Sequence, residues 1–339
     1  MKTIIIGLNW LGDIIMSLPA IMAATENSEV HLVTRPHLAQ VYELFGLPLH
    51  IHPVATDATS FQLIKALAPL RRLKAANTII FPDSLRAAII ARLCHSRQSV
   101  GFNTQWRSLL LNRAVKKPDN FKKMHESELH FMLIKAAGLT DAEYCPEIPR
   151  RYFSPDKFTA LANKLKLPTD KPYAVLAPGA AFGAAKRWPP AKFAALAGLL
   201  ATQNELTIVA TGSSSETELV DDLQTESSVA IINAAGRTNI SELACLLSRA
   251  QLLVANDSGT MHLAALYATP TVVPVGPTDM TRTGPLNSNF RAVMASDVCP
   301  IAPCRQKSCP RPDHICMNSI SPADIVTAVH LLLPETKRQ

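Results

Sequence analysis

At 339 residues, 47% of them apolar and 18% charged, the chain has the composition of a globular protein, too long for one ordinary core and sized for two domains. No run of 18 apolar residues occurs, which excludes a membrane-spanning helix. The net charge of +7 lies wholly in residues 1–165, with 20 Lys+Arg against 13 Asp+Glu there and 14 against 14 beyond.

The opening, MKTIIIGLNWLGDIIMSLPA, has the lysine and apolar run of an export signal. Asn9, Gly12 and Asp13 interrupt that run, and an ionised Asp is poorly tolerated in a signal core, so a cytoplasmic location is expected. Thr3–Gly7 reads as a strand, Asp13–Ala24 as a helix, Val30–Thr34 as a strand, Leu38–Leu44 as a helix and Leu49–Val54 as a strand. The same rhythm continues with Phe61–Leu73 (helix), Thr78–Phe81 (strand), Ala87–Cys94 (helix), Ser99–Gly101 (strand) and Glu126–Ala137 (long helix). Such alternation predicts a parallel sheet flanked by helices.

The stretch 139–172 is rich in proline and charge, carries a short helix over Pro155–Leu165, and is read as the boundary region. A second series follows: strands over Tyr173–Ala177, Leu206–Ala210, Ala230–Asn233, Leu252–Ala255 and Thr271–Val275, with helices between them and a last helix over Pro322–Leu333. The expected architecture is α/β, two Rossmann-like doubly wound domains with a cleft between them. Residues 1–165 form one, 166–320 the other, and 321–339 a C-terminal helix and tail.

Ligands of such sheets sit outside the carboxyl ends of the strands, so the segments after each strand are where chemistry is expected. Asn256-Asp257-Ser258-Gly259-Thr260-Met261-His262 follows one strand and offers polar groups and a Gly at the start of a helix, a pattern suited to phosphate or to a plain helix cap. Pro178-Gly179 through Lys186-Arg187-Trp188-Pro189 follows another, with small residues and adjacent cations that suit a diphosphate. It is neither a P-loop nor a G-x-G-x-x-G turn. Gly212-Ser213-Ser214-Ser215-Glu216 offers a carboxylate to a ribose hydroxyl, and Gly276-Pro277-Thr278-Asp279 lies beside the Asp257 loop if strand order follows chain order. Four such segments in one domain point to a nucleotide-bearing ligand.

In order and spacing, Leu11-Gly12-Asp13, Pro178-Gly179-Ala180, Ala185-Lys186-Arg187-Trp188-Pro189, Asn256-Asp257-Ser258-Gly259-x-Met261-His262 and Gly276-Pro277-Thr278 resemble glycosyltransferase family 9. These are the ADP-heptose:lipopolysaccharide heptosyltransferases of GT-B fold. The likeness covers nearly the whole chain. Its Phe182-to-Pro189 segment and Cys-rich tail are similar to the branch that adds the second heptose of the inner core. The resemblance implies an inverting transfer in which Asp13 is the general base and Lys186 contacts the donor phosphate and stabilises the leaving ADP. Donor binding falls to Gly179, Lys186, Glu216, Asp257, Ser258, Gly259, Thr260, His262 and Thr278, and Gly12 is placed on the acceptor side. Asp83-Ser84-x-Arg86, after the strand Thr78–Phe81, is read from its position either as meeting the acceptor or as a helix N-cap with a solvated Arg. No metal and no cofactor are implied; the donor substrate is ADP-heptose.

The basic first half is read either as ordinary solvated surface or as the side that meets an anionic lipopolysaccharide inner-core acceptor at a membrane face, with peripheral contact. Nucleic acid is disfavoured, because no RNA- or DNA-binding motif accompanies the charge. Two alternatives stay open at this point: a family member with another acceptor, and a non-catalytic sugar-nucleotide binding protein. The tail Cys299-x4-Cys304-x4-Cys309-x6-Cys316, with His314 nearby, fits structural-zinc spacing poorly and is read first as reduced thiols in a loop near the interdomain cleft, with a metal site and a disulfide left open. His125 and His130 are read as structural.

Overall fold

The computed structural model describes residues 1–55, 59–150, 152–287, 289–295 and 298–333; Arg151 of the basic first half lies outside them. The chain divides into two units. Met1–Ile148 with Thr281–Thr283 form the first, and Pro149–Met280 with Gly284–Gln339 the second. The division falls inside the proline-rich stretch, and the helix Pro155–Leu165 goes with the second unit.

In the first unit, strands β1 (Lys2–Ile6), β2 (Glu29–Thr34), β3 (Leu49–Pro53), β4 (Asn77–Ile80), β5 (Gln98–Phe102) and β6 (Arg113–Val115) form one parallel sheet ordered β3-β2-β1-β4-β5-β6. In the second, β7 (Tyr173–Ala177), β8 (Thr207–Ala210), β9 (Ile231–Asn233), β10 (Leu252–Ala255), β11 (Thr271–Val275) and β12 (Phe290–Met294) are ordered β12-β11-β10-β7-β8-β9. In both sheets the strand order therefore reverses beside the first strand, between β1 and β4 and between β7 and β10. Those are the points where a doubly wound sheet opens to a ligand.

Central strands are apolar runs because helices cover both their faces. Ile4 and Ile5 of β1, Ile79 and Ile80 of β4, Leu176 of β7, and Leu252, Leu253 and Val254 of β10 are all fully buried. The helices begin where the sequence supplies caps. Thr59 and Gln62 form a capping box for Ser60–Arg72, Asn239 and Glu242 one for Ile240–Arg249, and Ser321 and Asp324 one for Pro322–Leu332. Pro155 opens Pro155–Leu165 behind a Ser154 cap, and Pro190 opens Pro190–Gln203. The last helix packs on Pro190–Gln203, β11 and β12, and its Ile325 and Val329 sit in the second core.

Two strands were not expected. β6 carries exposed Arg113 and Ala114, and β12 carries exposed Arg291, Ala292 and Met294. Both are edge strands, held by pairing with one neighbour and lacking the apolar signature of the centre.

Candidate functional site

In the first unit, β1 ends at Ile6 and the chain turns through Gly7–Trp10 into the helix Leu11–Asn27. Asp13 is the third residue of that helix, half-buried, where the positive end of the helix dipole favours a carboxylate. Gly12 is buried beside it. Trp10, the residue before the helix, is half exposed. Tyr42, which sequence reading passed over as one apolar residue of a short helix, supports the turn: the Leu8 N–H donates to its phenolic oxygen at 3.3 Å. Burial pushes that phenol well above its ordinary pKa, and the Asp13 charge adds to the shift, so Tyr42 is a neutral hydroxyl under the turn.

Across the switch point, Asp83 follows β4 and is tied down by two cations. Lys117 Nζ lies 2.7 Å from its Oδ2 and Arg107 Nη2 3.3 Å from its Oδ1. Arg107 is wholly buried, donates from Nε to the Phe102 carbonyl at 2.9 Å, and also bonds the Pro82 carbonyl. Its fork thus fixes the post-β4 loop, leaving the Asp83 carboxylate 39% exposed. Arg86, exposed, stands in the first turn of the helix Leu85–Leu93, which Ser84 caps. His125 caps Glu126–Ala136 by accepting from the Ser127 N–H, and His130 is buried against the Phe81 ring.

In the second unit, the post-β7 and post-β10 segments are latched together. Asn256, fully buried, accepts the Trp188 backbone N–H at 2.9 Å and donates to the Pro178 carbonyl at 2.7 Å. The Trp188 indole, also fully buried, donates to the Ile320 carbonyl at 3.0 Å. Trp188 and Asn256 are therefore the frame, and they hold Lys186 and Asp257 in place. Lys186 Nζ and Asp257 Oδ2 meet at 2.7 Å, with their side chains 14% and 6% exposed. The same ammonium lies over the Phe182 ring, 4.9 Å from its centroid.

In the segments after β7, β10 and β11, Arg187 Nε, Ser258 Oγ and Thr278 Oγ1 are buried and make no hydrogen bond to the protein. Buried polar atoms in that state are normally satisfied by something, and in a loop at a switch point a ligand is the natural partner. The helix Gly259–Ala265 begins at this loop, with His262 buried and Thr260 half-buried, but it has only seven residues, so its end contributes less than the side chains do. Glu216 brings its carboxylate over Gly179, where a β-carbon would lie 2.0 Å from Oε1. Its Oε2 accepts from the Ser213 N–H at 2.8 Å, so this carboxylate also caps its own turn.

The segment between β12 and the last helix, read from the sequence first as thiols in a loop, straps these loops from outside. The Ala185 N–H donates to the Lys307 carbonyl at 3.0 Å and the Arg305 N–H to the Pro277 carbonyl at 2.8 Å. His314 Nε2 donates to the Ala185 carbonyl at 2.8 Å. The Lys307 ammonium also lies over the Phe182 ring, 5.8 Å from its centroid. Among the described residues the seven cysteines are unbridged, and Cys316 is buried. Burial, then the neighbouring thiols Cys299, Cys309 and Cys304, push the Cys316 thiol above its ordinary pKa.

Comparison with known proteins places this geometry. The model of glycosyltransferase family 9 (heptosyltransferase) matches residues 64–314, nearly three quarters of the chain. The chain belongs to glycosyltransferase family 9. Lipooligosaccharide heptosyltransferase 2 of Campylobacter jejuni is 35% identical over 175 residues, an alignment spanning 50% of this chain and about half (54%) of that protein. Lipooligosaccharide heptosyltransferase 2 of Haemophilus influenzae is 29% identical over 308 residues, 85% of this chain and 86% of that one. Among solved structures, Escherichia coli ADP-heptose lps heptosyltransferase II superposes with a TM-score of 0.80 at 22% identity, covering 98% of both chains. The α/β architecture of two Rossmann-like sheets is thus that of the family's GT-B enzymes, and family membership makes the chain a glycosyltransferase.

Proposed function

We propose that this family 9 enzyme transfers heptose from ADP-heptose, with inversion, to the heptose/Kdo inner core of lipopolysaccharide, adding the second heptose. The observation that carries the reading is the largely buried Lys186–Asp257 pair at the β7/β10 switch point, supported by the unsatisfied Arg187, Ser258 and Thr278 atoms of the post-strand segments. An ADP-sugar requires such a mixture of cation, carboxylate and hydroxyl: Lys186 and Arg187 for the diphosphate, Asp257 and Ser258 for sugar hydroxyls, and Glu216 at the ribose.

In the proposed reaction, Asp13 takes the proton of the acceptor hydroxyl as that oxygen bonds the anomeric carbon. The bond from that carbon to the β-phosphate oxygen breaks, and the charge gathering on ADP is met by Lys186. A side-chain ammonium held in place beforehand needs no divalent metal to do this, and the reading is accordingly metal-independent. Asp83 and Arg86, at the neighbouring strand end of the first unit, are assigned to the acceptor.

The acceptor is anionic and lipid-borne, and the first unit is suited to it. Trp106 and Leu109 are each 93% exposed on one turn, and Phe61, Ile64, Leu85 and Ile89 are exposed on the helices Ser60–Arg72 and Leu85–Leu93. Those elements also carry Arg71, Arg72, Arg86 and Arg92, a combination that supports peripheral contact with an anionic membrane face. Among the described residues no helix is long and apolar enough to cross a membrane. We assign the enzyme to the cytoplasmic face.

The test is transfer from ADP-heptose to purified inner-core acceptors truncated before and after the first heptose. ADP release and a heptose-sized mass gain only on the acceptor that already carries one heptose are expected. Equal transfer to the Kdo-only acceptor overturns the second-heptose assignment, and binding of ADP-heptose without turnover on either overturns the enzymatic one.

A further inference from the structure

Along the edge pair β2/β3 of the first sheet, three imidazoles and a carboxylate gather. The parallel register sets His31 against His50 and Val33 against His52, so Glu29, His31, His50 and His52 share one face of the sheet. Glu29 Oε1 lies 3.0 Å from His31 Nε2 and 3.5 Å from His50 Nε2. The three ligand atoms all fall within 4.8 Å of one another, and no other such group of three occurs among the described residues.

We infer that Glu29, His31 and His50 form a binding site for a divalent transition-metal cation of the zinc class. Ligand atoms held about 2.0–2.1 Å from a tetrahedral zinc are separated by about 3.3 Å, and the two Glu29 distances straddle that value. Two neutral imidazoles and a carboxylate suit zinc, and they leave a fourth position for water.

The surrounding residues fit the same assignment. A metal-binding imidazole has its remote nitrogen fixed by a hydrogen bond, which sets the tautomer. His31 Nδ1 lies 3.0 Å from His52 Nε2, so His31 Nδ1–H can donate a hydrogen bond to His52 and leave the His31 Nε2 lone pair for the site. His31 is 5% exposed and held by β2, giving a rigid ligand, whereas Glu29 and His50 are exposed and give a cation access. Lys2 Nζ, 3.6 Å from Glu29 Oε1, occupies the carboxylate when no metal does. The site would clip β3, an edge strand, to β2.

The experiment is calorimetric titration of the full chain, free of any affinity tag and stripped by chelator, with zinc chloride at pH 7.5. One zinc per chain is expected. His50→Ala and Glu29→Gln, both at exposed positions where folding is safe, should each weaken binding tenfold or more. His52→Ala should weaken it about 10–100-fold through His31. Lys2→Met should tighten it about two- to fivefold by releasing Glu29 from an exposed ion pair. Cobalt(II) in place of zinc should give ligand-field bands without thiolate charge transfer. Absence of stoichiometric zinc, or zinc that survives His50→Ala/Glu29→Gln and is lost on replacing Cys299, Cys304 and Cys309 by Ser, overturns the assignment.

Discussion

Lys186 and Asp257 form a 2.7 Å ion pair between the post-β7 and post-β10 loops of one sheet, with both side chains largely withdrawn from water. Such a pair is costly to break, since removing one partner leaves the other charge buried alone, at about 3–5 kcal/mol. Lys186→Ala should therefore lower thermal stability and abolish donor handling together. Lys186→Met/Asp257→Asn removes both charges and should recover much of the stability while leaving ADP binding lost. Thermal melts and ADP calorimetry on the two variants check this; ADP binding unchanged in either removes Lys186 from the phosphate.

Asp13 belongs to the other unit, in the first turn of the helix Leu11–Asn27. Asp13→Asn keeps the size and the first-turn position while removing the base. The acceptor-dependent rate should fall by about 10²–10⁴, the usual worth of a general base, with ADP affinity within twofold of the parent. A stopped-time assay of ADP release, paired with calorimetry, separates the two quantities. Turnover within tenfold of the parent would remove Asp13 from the chemistry.

Much of this arrangement is legible in the sequence, for a definite reason. β7 and β10 are covered on both faces, so Tyr173–Ala177 and Leu252–Ala255 are continuous apolar runs, and whatever follows them must lie at the sheet's carboxyl edge. That logic finds Asp13, Asp83, Lys186, Glu216 and Asp257. It does not find the edge strands β6 and β12, whose exposed residues carry no period. Nor does it reveal that Trp188 and Asn256 are frame rather than ligand, or that residues 305–314 strap the Lys186 loop. Those are contacts between segments 68 and more than 100 residues apart, and nothing local in the chain records them.

The strap has its own test at Gly183. A β-carbon there would lie 2.2 Å from the Lys307 carbonyl oxygen, and because that atom is backbone, the strap itself must move. Gly183→Ala should displace the Ala185–Lys307 hydrogen bond and draw the Lys307 ammonium off Phe182. Donor affinity should then fall several-fold, with the fold intact. Lys307→Ala keeps the backbone contact and loses only the charge, so a smaller loss is expected. ADP titrations of both variants give the comparison; equal losses would mean that the charge, not the strap, is what counts.

His130 makes the first unit sensitive to acid. It is 7% exposed against Phe81, and burial above all holds its pKa down at about 4, with nearby Asp83 opposing and Lys117 and His125 adding to the shift. In the unfolded chain an imidazole titrates near 6.5. Above that pH neither state carries the proton and His130 adds no pH dependence. Between about 6.5 and 4 the unfolded chain takes up a proton that the folded one refuses, so stability falls with pH by about 1.4 kcal/mol per unit. By pH 5 the loss from this residue should be about 2 kcal/mol. His130→Leu cannot bind the proton, so its urea midpoint should drop less between pH 7.5 and 5 than that of the parent. Parallel pH slopes for the two proteins would show that the acid sensitivity arises elsewhere.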